Sequence, residues 1–111
     1  MNIEQEIKEI SVSELKEKID KKEKFFLLDV RTYGEKQIAD IGGELIPVQE
    51  IHERYLELKG HEDSEIIVYC HHGMRSFHAC QFLRDKGFKK LFNLSGGIDQ
   101  WSLMDSSIPR Y

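Results

Sequence analysis

The chain lacks several features that mark secreted or nucleic-acid-binding proteins. Only two cysteines occur in 111 residues. Their local contexts differ, so they provide no disulfide framework and suit a reducing compartment. Asp and Glu number 20 against 16 Lys and Arg, and the net charge of -4 argues against a phosphate-backbone ligand. We therefore expect neither a disulfide-stapled scaffold nor a nucleic-acid partner.

Long apolar runs are also lacking. No stretch approaches the roughly 20 apolar residues that a membrane span requires. The N-terminus carries Glu4, Glu6 and Glu9, which is not the pattern of a signal peptide. These observations predict a cytoplasmic protein with no membrane-embedded part. The length and the hydrophobic content of 40% predict a single domain over residues 1–111.

The stretch 66–76, in which a short apolar run ends in a cysteine, is the most informative part of the chain. Residues 66–69 are β-branched or aromatic and predict a strand buried on both faces, with Cys70 at its carboxyl end. Apolar residues at helical spacing follow Ser76, a suitable N-cap, and Gly87 would end that helix. Backbone amides in such a strand-to-helix loop converge and favour an anion or a thiolate. We therefore predict a reactive-cysteine loop over which Arg75 can close.

Apolar runs and glycines divide the rest of the chain into strands and helices. Ser11 and Glu14 form a capping-box pattern, which predicts a surface helix after a short edge strand. The other predicted elements are a buried strand over 25–30, an irregular segment over 32–47 with a short strand at 45–46, a helix over 48–58 ending at Gly60, a strand over 91–94 and a closing helix from Ile98. This alternation predicts an α/β fold with a mainly parallel sheet that is covered on both faces.

Several of these positions together resemble the single-domain rhodanese sulfurtransferases. The resemblance is carried by Asp29-Val30-Arg31 with Glu35, by 66–70 with Gly73 and Arg75-Ser76, and by Gly87-Phe88, Gly96-Gly97 and Trp101. It implies a five-stranded sheet with helices on both sides and an active-site cysteine that carries a persulfide. The segment 39–44 departs from the family pattern and is one residue shorter before Ile46 and Pro47.

The resemblance also assigns roles to individual residues. Cys70 matches the sulfur-carrying cysteine, and Arg75 ends the same six-residue loop and is predicted to be catalytic with it. The substrate-binding residues predicted in and beside this loop are His71, His72, Gly73, Met74 and Ser76. Asp29 and Arg31, at the carboxyl end of a strand, match a supporting pair near the loop. For that pair we favour a structural role over a direct catalytic one.

The predicted reaction moves one sulfur atom in two steps. Cys70 would take a sulfane sulfur from thiosulfate or a protein persulfide and pass it to cyanide, a thiol or a carrier protein. This chemistry needs no metal and no organic cofactor. The patterns Cys-His-His-Gly and Gly-Gly-Ile-Asp-x-Trp resemble members that serve ubiquitin-like sulfur carriers, so a sulfur-carrier protein is a predicted partner.

Other interpretations of the same residues stay open. A cysteine phosphatase uses a similar loop, but its arginine usually stands six positions after the cysteine, whereas Arg75 stands five after Cys70. A noncatalytic protein-binding module is a second alternative, although such modules often lack the cysteine. A zinc site from Cys70, His71, His72 and Cys80 is disfavoured, because adjacent loop residues lack the spacing of tetrahedral sites. Cys80 lies on an apolar helical stripe and is predicted to be a core residue.

Overall fold

The computed structural model describes residues 6–111, in which a five-stranded sheet carries the fold. The strands are β1 (Lys8–Ile10), β2 (Phe26–Asp29), β3 (Glu44–Leu45), β4 (Glu65–Tyr69) and β5 (Lys90–Leu94). They lie in the order β1-β5-β4-β2-β3, and all neighbours are parallel. The predicted parallel α/β fold is confirmed, with β4 at the centre and β1 at an edge. Glu4 and the start of the predicted domain range 1–111 lie outside the described residues.

Within residues 6–111 there are five α-helices, of which four lie between successive strands and the fifth follows β5. They are α1 (Val12–Asp20), α2 (Tyr33–Ile38), α3 (Ile51–Arg54), α4 (Met74–Asp85) and α5 (Gly97–Met104). Within residues 6–111, no helix has the length and apolar character needed to cross a bilayer.

The side chains of β4 alternate between two hydrophobic clusters, one on each face of the sheet. Ile66 and Val68 pack in a cluster with residues of α3 and α4. Ile67 and Tyr69 pack in the other cluster, with residues of α1 and α5. A parallel sheet requires this double cover because both of its faces are apolar. Each fully buried aliphatic side chain contributes about 1.5–3 kcal/mol relative to exposure, so the central strand is held firmly in place.

The segment predicted to be irregular over 32–47 contains the short helix α2, so that prediction is wrong in part. Thr32 caps the helix: its hydroxyl accepts from the Glu35 N–H at 3.2 Å, and its own N–H donates to the Glu35 carboxylate at 3.1 Å. This is the same capping box that marks Ser11 and Glu14. The helix escaped prediction because it has six residues and buries none, so it shows no apolar periodicity.

The helix predicted over 48–58 is interrupted. A 3-10 turn at Val48–Glu50 precedes α3, and a second 3-10 turn at Tyr55–Leu58 follows it. The four-residue α3 keeps Ile51 buried, and the second turn brings Leu58 into the same cluster. Local hydrogen bonding therefore changes along the segment while the buried positions stay on one side.

Helix α4 begins three residues earlier than predicted. Gly73 is its N-cap, in the left-handed region with φ +115°, and provides no side-chain cap. Ser76 therefore lies inside the first turn, so the prediction that it is the N-cap is wrong. Its side chain is fully buried and its hydroxyl faces Asn93 on β5. Gly87, with φ +97°, follows the end of α4 as predicted.

Candidate active site

Cys70 lies directly after β4, and its sulfur faces the first turn of α4. The residue is only 1% exposed. Its Sγ accepts a hydrogen bond from the Gly73 N–H at 3.1 Å, and from both the N–H and the hydroxyl of Ser76 at 3.4 Å. Such donors, together with the N-terminus of α4, stabilise an anionic sulfur more than a neutral thiol. The loop therefore surrounds the sulfur with the groups that a thiolate or a persulfide anion requires.

The first turn of α5 holds the opposite side of the loop. The N–H of Ile98 donates to the Cys70 carbonyl at 2.9 Å, and the N–H of Asp99 donates to the His71 carbonyl at 3.0 Å. Gly97 permits this approach, because a Cβ there would lie 2.5 Å from both carbonyl oxygens. Since these carbonyls turn toward α5, the amides later in the loop are free to turn toward the sulfur.

A buried asparagine on β5 links the donors that face the sulfur. The Asn93 amide nitrogen donates to the Gly73 carbonyl and to the Glu9 carboxylate, at 3.1 Å each. Its oxygen accepts from the Ser76 hydroxyl. A hydroxyl has one proton, so Ser76 donates either to Asn93 or to Cys70. Sequence reasoning assigned no role to Asn93 or Glu9, and the available signal was a polar residue within the apolar run 91–94.

Arg75 forms a bidentate ion pair with Glu35. Its Nη1 and Nη2 donate to the two carboxylate oxygens at 2.7 and 2.9 Å. These bonds are the main reason that the pKa of Arg75 is raised above its usual value. Within residues 6–111 no hydrogen bond joins Arg75 to the Cys70 sulfur. Its predicted closure over Cys70 stays a prediction.

Glu35 is the residue whose role sequence reasoning missed most clearly. From the sequence it is only one part of the family resemblance, although the spacing of Thr32 and Glu35 marks a capping box. In the structure its carboxylate accepts from Thr32, Arg75 and the Tyr111 hydroxyl. The hydrogen bonds from Arg75 are the main reason that the pKa of Glu35 lies far below its usual value.

Asp29 and Arg31 form a second, fully buried ion pair. Arg31 Nε and Nη2 donate to the two Asp29 carboxylate oxygens at 2.9 and 2.8 Å. The Tyr69 hydroxyl also donates to Asp29, and Arg31 Nη1 donates to the Tyr111 hydroxyl, at 3.0 Å each. The bond from Tyr69 links β2 to β4, and the bond from Arg31 links the pair to Tyr111. A structural role for the pair stays a prediction.

The remaining loop residues lie at the surface side of the site. His71 stacks on the Tyr111 ring with a centroid distance of 4.0 Å, and its Nε2 lies 2.7 Å from the Tyr111 carbonyl oxygen. The ligand atoms of His71, His72 and Asp99 lie within 4.8 Å of one another, close enough to approach a cation. Asp99 already accepts from Arg110 at 3.0 Å, so we assign no metal to this cluster. Met74 is 70% exposed beside the loop.

Comparison with known proteins agrees with this geometry. The family model described as a rhodanese-like domain matches residues 11–104. The chain belongs to the rhodanese-like domain family. A putative sulfurtransferase of Bacillus subtilis, YtwF, is 38% identical over 101 residues, which cover 86% of this chain and 91% of YtwF. The resemblance predicted from the sequence is therefore confirmed.

Two further relatives of this rhodanese-like domain bear on its architecture. The putative sulfur carrier protein YrkF of Bacillus subtilis is 39% identical over 97 residues, which cover 86% of this chain but 51% of YrkF. The crystal structure of a rhodanese-related protein from Thermoplasma volcanium superposes with a TM-score of 0.78 at 28% identity, and covers 94% of this chain and 99% of that one. The chain thus matches whole small proteins as well as about half of a longer one.

The second cysteine of this rhodanese-like domain lies in the core, as predicted. Cys80 is fully buried within α4, in the cluster that contains Ile66 and Val68. Burial raises the pKa of the Cys80 thiol to about 12. At neutral pH this thiol stays protonated and shielded, so it is a poor nucleophile beside Cys70.

The hydroxyl of Ser76 is expected to tune the reactivity of Cys70. In Ser76→Ala the sulfur loses one donor but keeps both backbone amides, so we expect alkylation of Cys70 by an uncharged reagent at neutral pH to slow by about three- to tenfold. Ser107→Ala removes a hydroxyl that donates to Asp105, and serves as the control. Alkylation followed by mass spectrometry reports the rates, and equal rates in the two variants would contradict a role for Ser76.

Proposed function

We propose that this rhodanese-like domain is a sulfurtransferase that carries a sulfane sulfur as a persulfide on Cys70. The observation that carries the proposal is the environment of the Cys70 sulfur, which accepts hydrogen bonds from two backbone amides and lies within reach of the Ser76 hydroxyl, at the N-terminus of a twelve-residue helix. A core cysteine needs no such donors, whereas a nucleophilic thiolate and a persulfide anion do.

In the first half of the reaction, the Cys70 thiolate attacks the outer sulfur of a donor. A new S–S bond forms to Cys70 as the S–S bond within the donor breaks, and the donor leaves as sulfite or as a thiolate. The amides of Gly73 and Ser76, with α4 behind them, offset the negative charge near the sulfur throughout this step. Because these groups are already in place, little reorganisation is needed.

In the second half, an acceptor removes the outer sulfur. Cyanide, a thiol or a carrier protein attacks that sulfur, and the Cys70 thiolate is regenerated as the leaving group. The loop stabilises this leaving group with the same donors that stabilised it as a nucleophile. The cycle is therefore ping-pong and returns the loop to its starting state.

We propose a protein-borne thiol or sulfur carrier as the partner in one half-reaction. Support comes from the name of YrkF, a relative described as a putative sulfur carrier protein. The exposed side chain of Met74 beside the loop offers an apolar contact for such a partner. We propose a reducing, cytoplasmic location because Cys70 must stay unoxidised between cycles.

Incubation with thiosulfate followed by removal of excess donor tests the proposal. We expect the intact protein to gain about 32 Da, the mass of one sulfur atom, and to lose it on addition of cyanide. Peptide mapping should locate the added sulfur on Cys70 and not on Cys80. If neither thiosulfate nor an alkyl persulfide adds sulfur to Cys70, the proposal is wrong.

Hydrolysis of an aryl phosphate, measured on the same samples, tests the phosphatase alternative. The amides of Gly73 and Ser76 point at the sulfur atom itself, and Arg75 stands five positions after Cys70, one fewer than is usual in cysteine phosphatases. We expect no phosphate hydrolysis above the uncatalysed rate. Hydrolysis that depends on Cys70, without sulfur transfer, would replace the sulfurtransferase proposal with the phosphatase one.

A further inference from the structure

The arginines around the Cys70 loop are paired with carboxylates. Arg75 pairs with Glu35 at 2.7 Å, and the buried Arg31 pairs with Asp29 at 2.8 Å. Arg110 pairs with Asp99 at 3.0 Å, on the helix turn that holds the loop. The positive potential that reaches the sulfur therefore comes mainly from backbone amides and the α4 terminus, which act over a short range.

Glu35 is built into this arrangement independently of Arg75. Its carboxylate also accepts from the N–H and the hydroxyl of Thr32 and from the Tyr111 hydroxyl, at 3.1, 3.2 and 2.9 Å. The capping box fixes the carboxylate at the start of α2, and the ion pair then fixes the guanidinium. The pKa of Glu35 is held far below its usual value, mainly by Arg75, so the carboxylate stays charged at neutral pH.

This pairing has different consequences for different sulfur donors. Thiosulfate is a dianion, and its leaving group, sulfite, is also a dianion. An unpaired cation near the cysteine would therefore accelerate sulfur transfer from thiosulfate. A persulfide on an otherwise uncharged thiol carries at most one negative charge. It reacts at its outer sulfur in the protonated form R–S–SH and releases a singly charged thiolate, so such a cation accelerates its reaction less. A guanidinium whose two Nη atoms already bind a carboxylate attracts a dianion weakly, because Glu35 repels that dianion at similar range.

We infer that Glu35 is a specificity-determining residue that masks Arg75, and that the donor class preferred by Cys70 is a thiol-borne persulfide, R–S–SH, rather than thiosulfate. This inference rests on the proposed sulfurtransferase function. The Cys70 thiolate attacks the outer sulfur, an S–S bond forms to Cys70 as the donor S–S bond breaks, and R–S⁻ leaves with the negative charge. The transferred sulfur keeps its proton or releases it to solvent, so no oxidant or reductant is consumed.

Glu35→Gln is the sharpest test of the inference. Glutamine can keep the capping interaction with Thr32 but carries no charge. Glu57→Gln is the matched control, because it removes one exposed carboxylate from the surface pair with Arg54. The probes are thiosulfate and the persulfide of N-acetylcysteine methyl ester, and the readout is the second-order rate constant for sulfur loading on Cys70, followed by intact mass.

We expect the wild-type protein to load faster from the persulfide than from thiosulfate. In Glu35→Gln the ratio of the thiosulfate rate constant to the persulfide rate constant should rise about tenfold, and Glu57→Gln should leave the ratio within about twofold of wild type. An unchanged or lower ratio in Glu35→Gln would overturn the inference. So would faster loading of the wild type by thiosulfate than by the persulfide.

Salt dependence of the wild-type protein gives a second test that needs no variant. A masked site predicts that loading from thiosulfate stays constant or accelerates between about 20 mM and about 200 mM salt, whereas an unpaired cation predicts a severalfold decrease. Such a decrease would overturn the inference. If the wild type loads from both donors but Glu35→Gln leaves the ratio of their rate constants unchanged, the inference alone is rejected; loading of the wild type from neither donor would reject the proposed function as well.

Discussion

Replacement of Cys70 by serine is expected to abolish persulfide formation and to lower sulfur transfer by about 10³-fold or more, to the uncatalysed rate. A serine hydroxyl in the same loop stays protonated at neutral pH and forms no stable bond to sulfane sulfur. The measurement is intact mass after incubation with a sulfur donor, together with thiosulfate:cyanide transfer.

Cys80→Ala is the matched control for this substitution. It removes the other thiol from the chain at a site that is fully buried and whose pKa is raised to about 12 by burial. We expect some loss of stability, about 1 kcal/mol for the small cavity, but normal sulfur loading by the folded protein. Sulfur found on Cys80, or retained in Cys70→Ser, would show that the nucleophile is assigned to the wrong cysteine.

Gly97→Ala is expected to damage both the fold and the site. A Cβ at this position would lie 2.5 Å from the carbonyl oxygens of Cys70 and His71, and the backbone has φ +60°. The loop and α5 would have to separate, which breaks the hydrogen bonds from Ile98 and Asp99 to those carbonyls. We expect the free energy of unfolding to fall by about 3 kcal/mol or more. The remaining folded protein should transfer sulfur slowly, because the amides no longer converge on Cys70.

Gly60→Ala is the control that separates the cost of backbone strain from the cost of the steric collision at Gly97. Gly60 has φ +100°, but a Cβ added there would meet nothing within 4 Å, so only the conformational cost applies, about 1–2 kcal/mol. Urea denaturation gives the two stabilities, and sulfur loading under folding conditions gives the two activities. Equal losses of stability and of sulfur loading in the two variants would mean that the close approach of Gly97 to the loop does not hold the site together.

Much of the fold could be predicted from the sequence because its signals are local. Residues 66–69 are β-branched or aromatic, and this composition is sufficient to predict the strand β4 with Cys70 at its end. The capping box at Ser11 and the positive φ of Gly87 also arise from neighbouring residues. Reliance on local signals also explains why the predicted start of α4 is wrong. Ser76 has the chemistry of an N-cap, but its side chain makes a tertiary contact with Asn93 instead.

The partners of the site residues could not be predicted in this way. Glu35 and Arg75 are 40 positions apart, and Asn93 and Glu9 are 84 apart. Nothing in the residues around Arg75 indicates whether its guanidinium faces the sulfur or a carboxylate. That choice follows from the sheet order, which places β2 and β5 on either side of β4 and so brings α2 and Asn93 to the same loop.

The sequence by itself determined the parallel α/β framework and the place of Cys70 at the end of the central strand, since each depends on composition and spacing within about a dozen residues. Only the tertiary structure decided how charge is distributed around that cysteine. Hydrogen bonds and ion pairs require atoms within about 3 Å, and here that proximity is created by strands that are adjacent in space but distant in the chain.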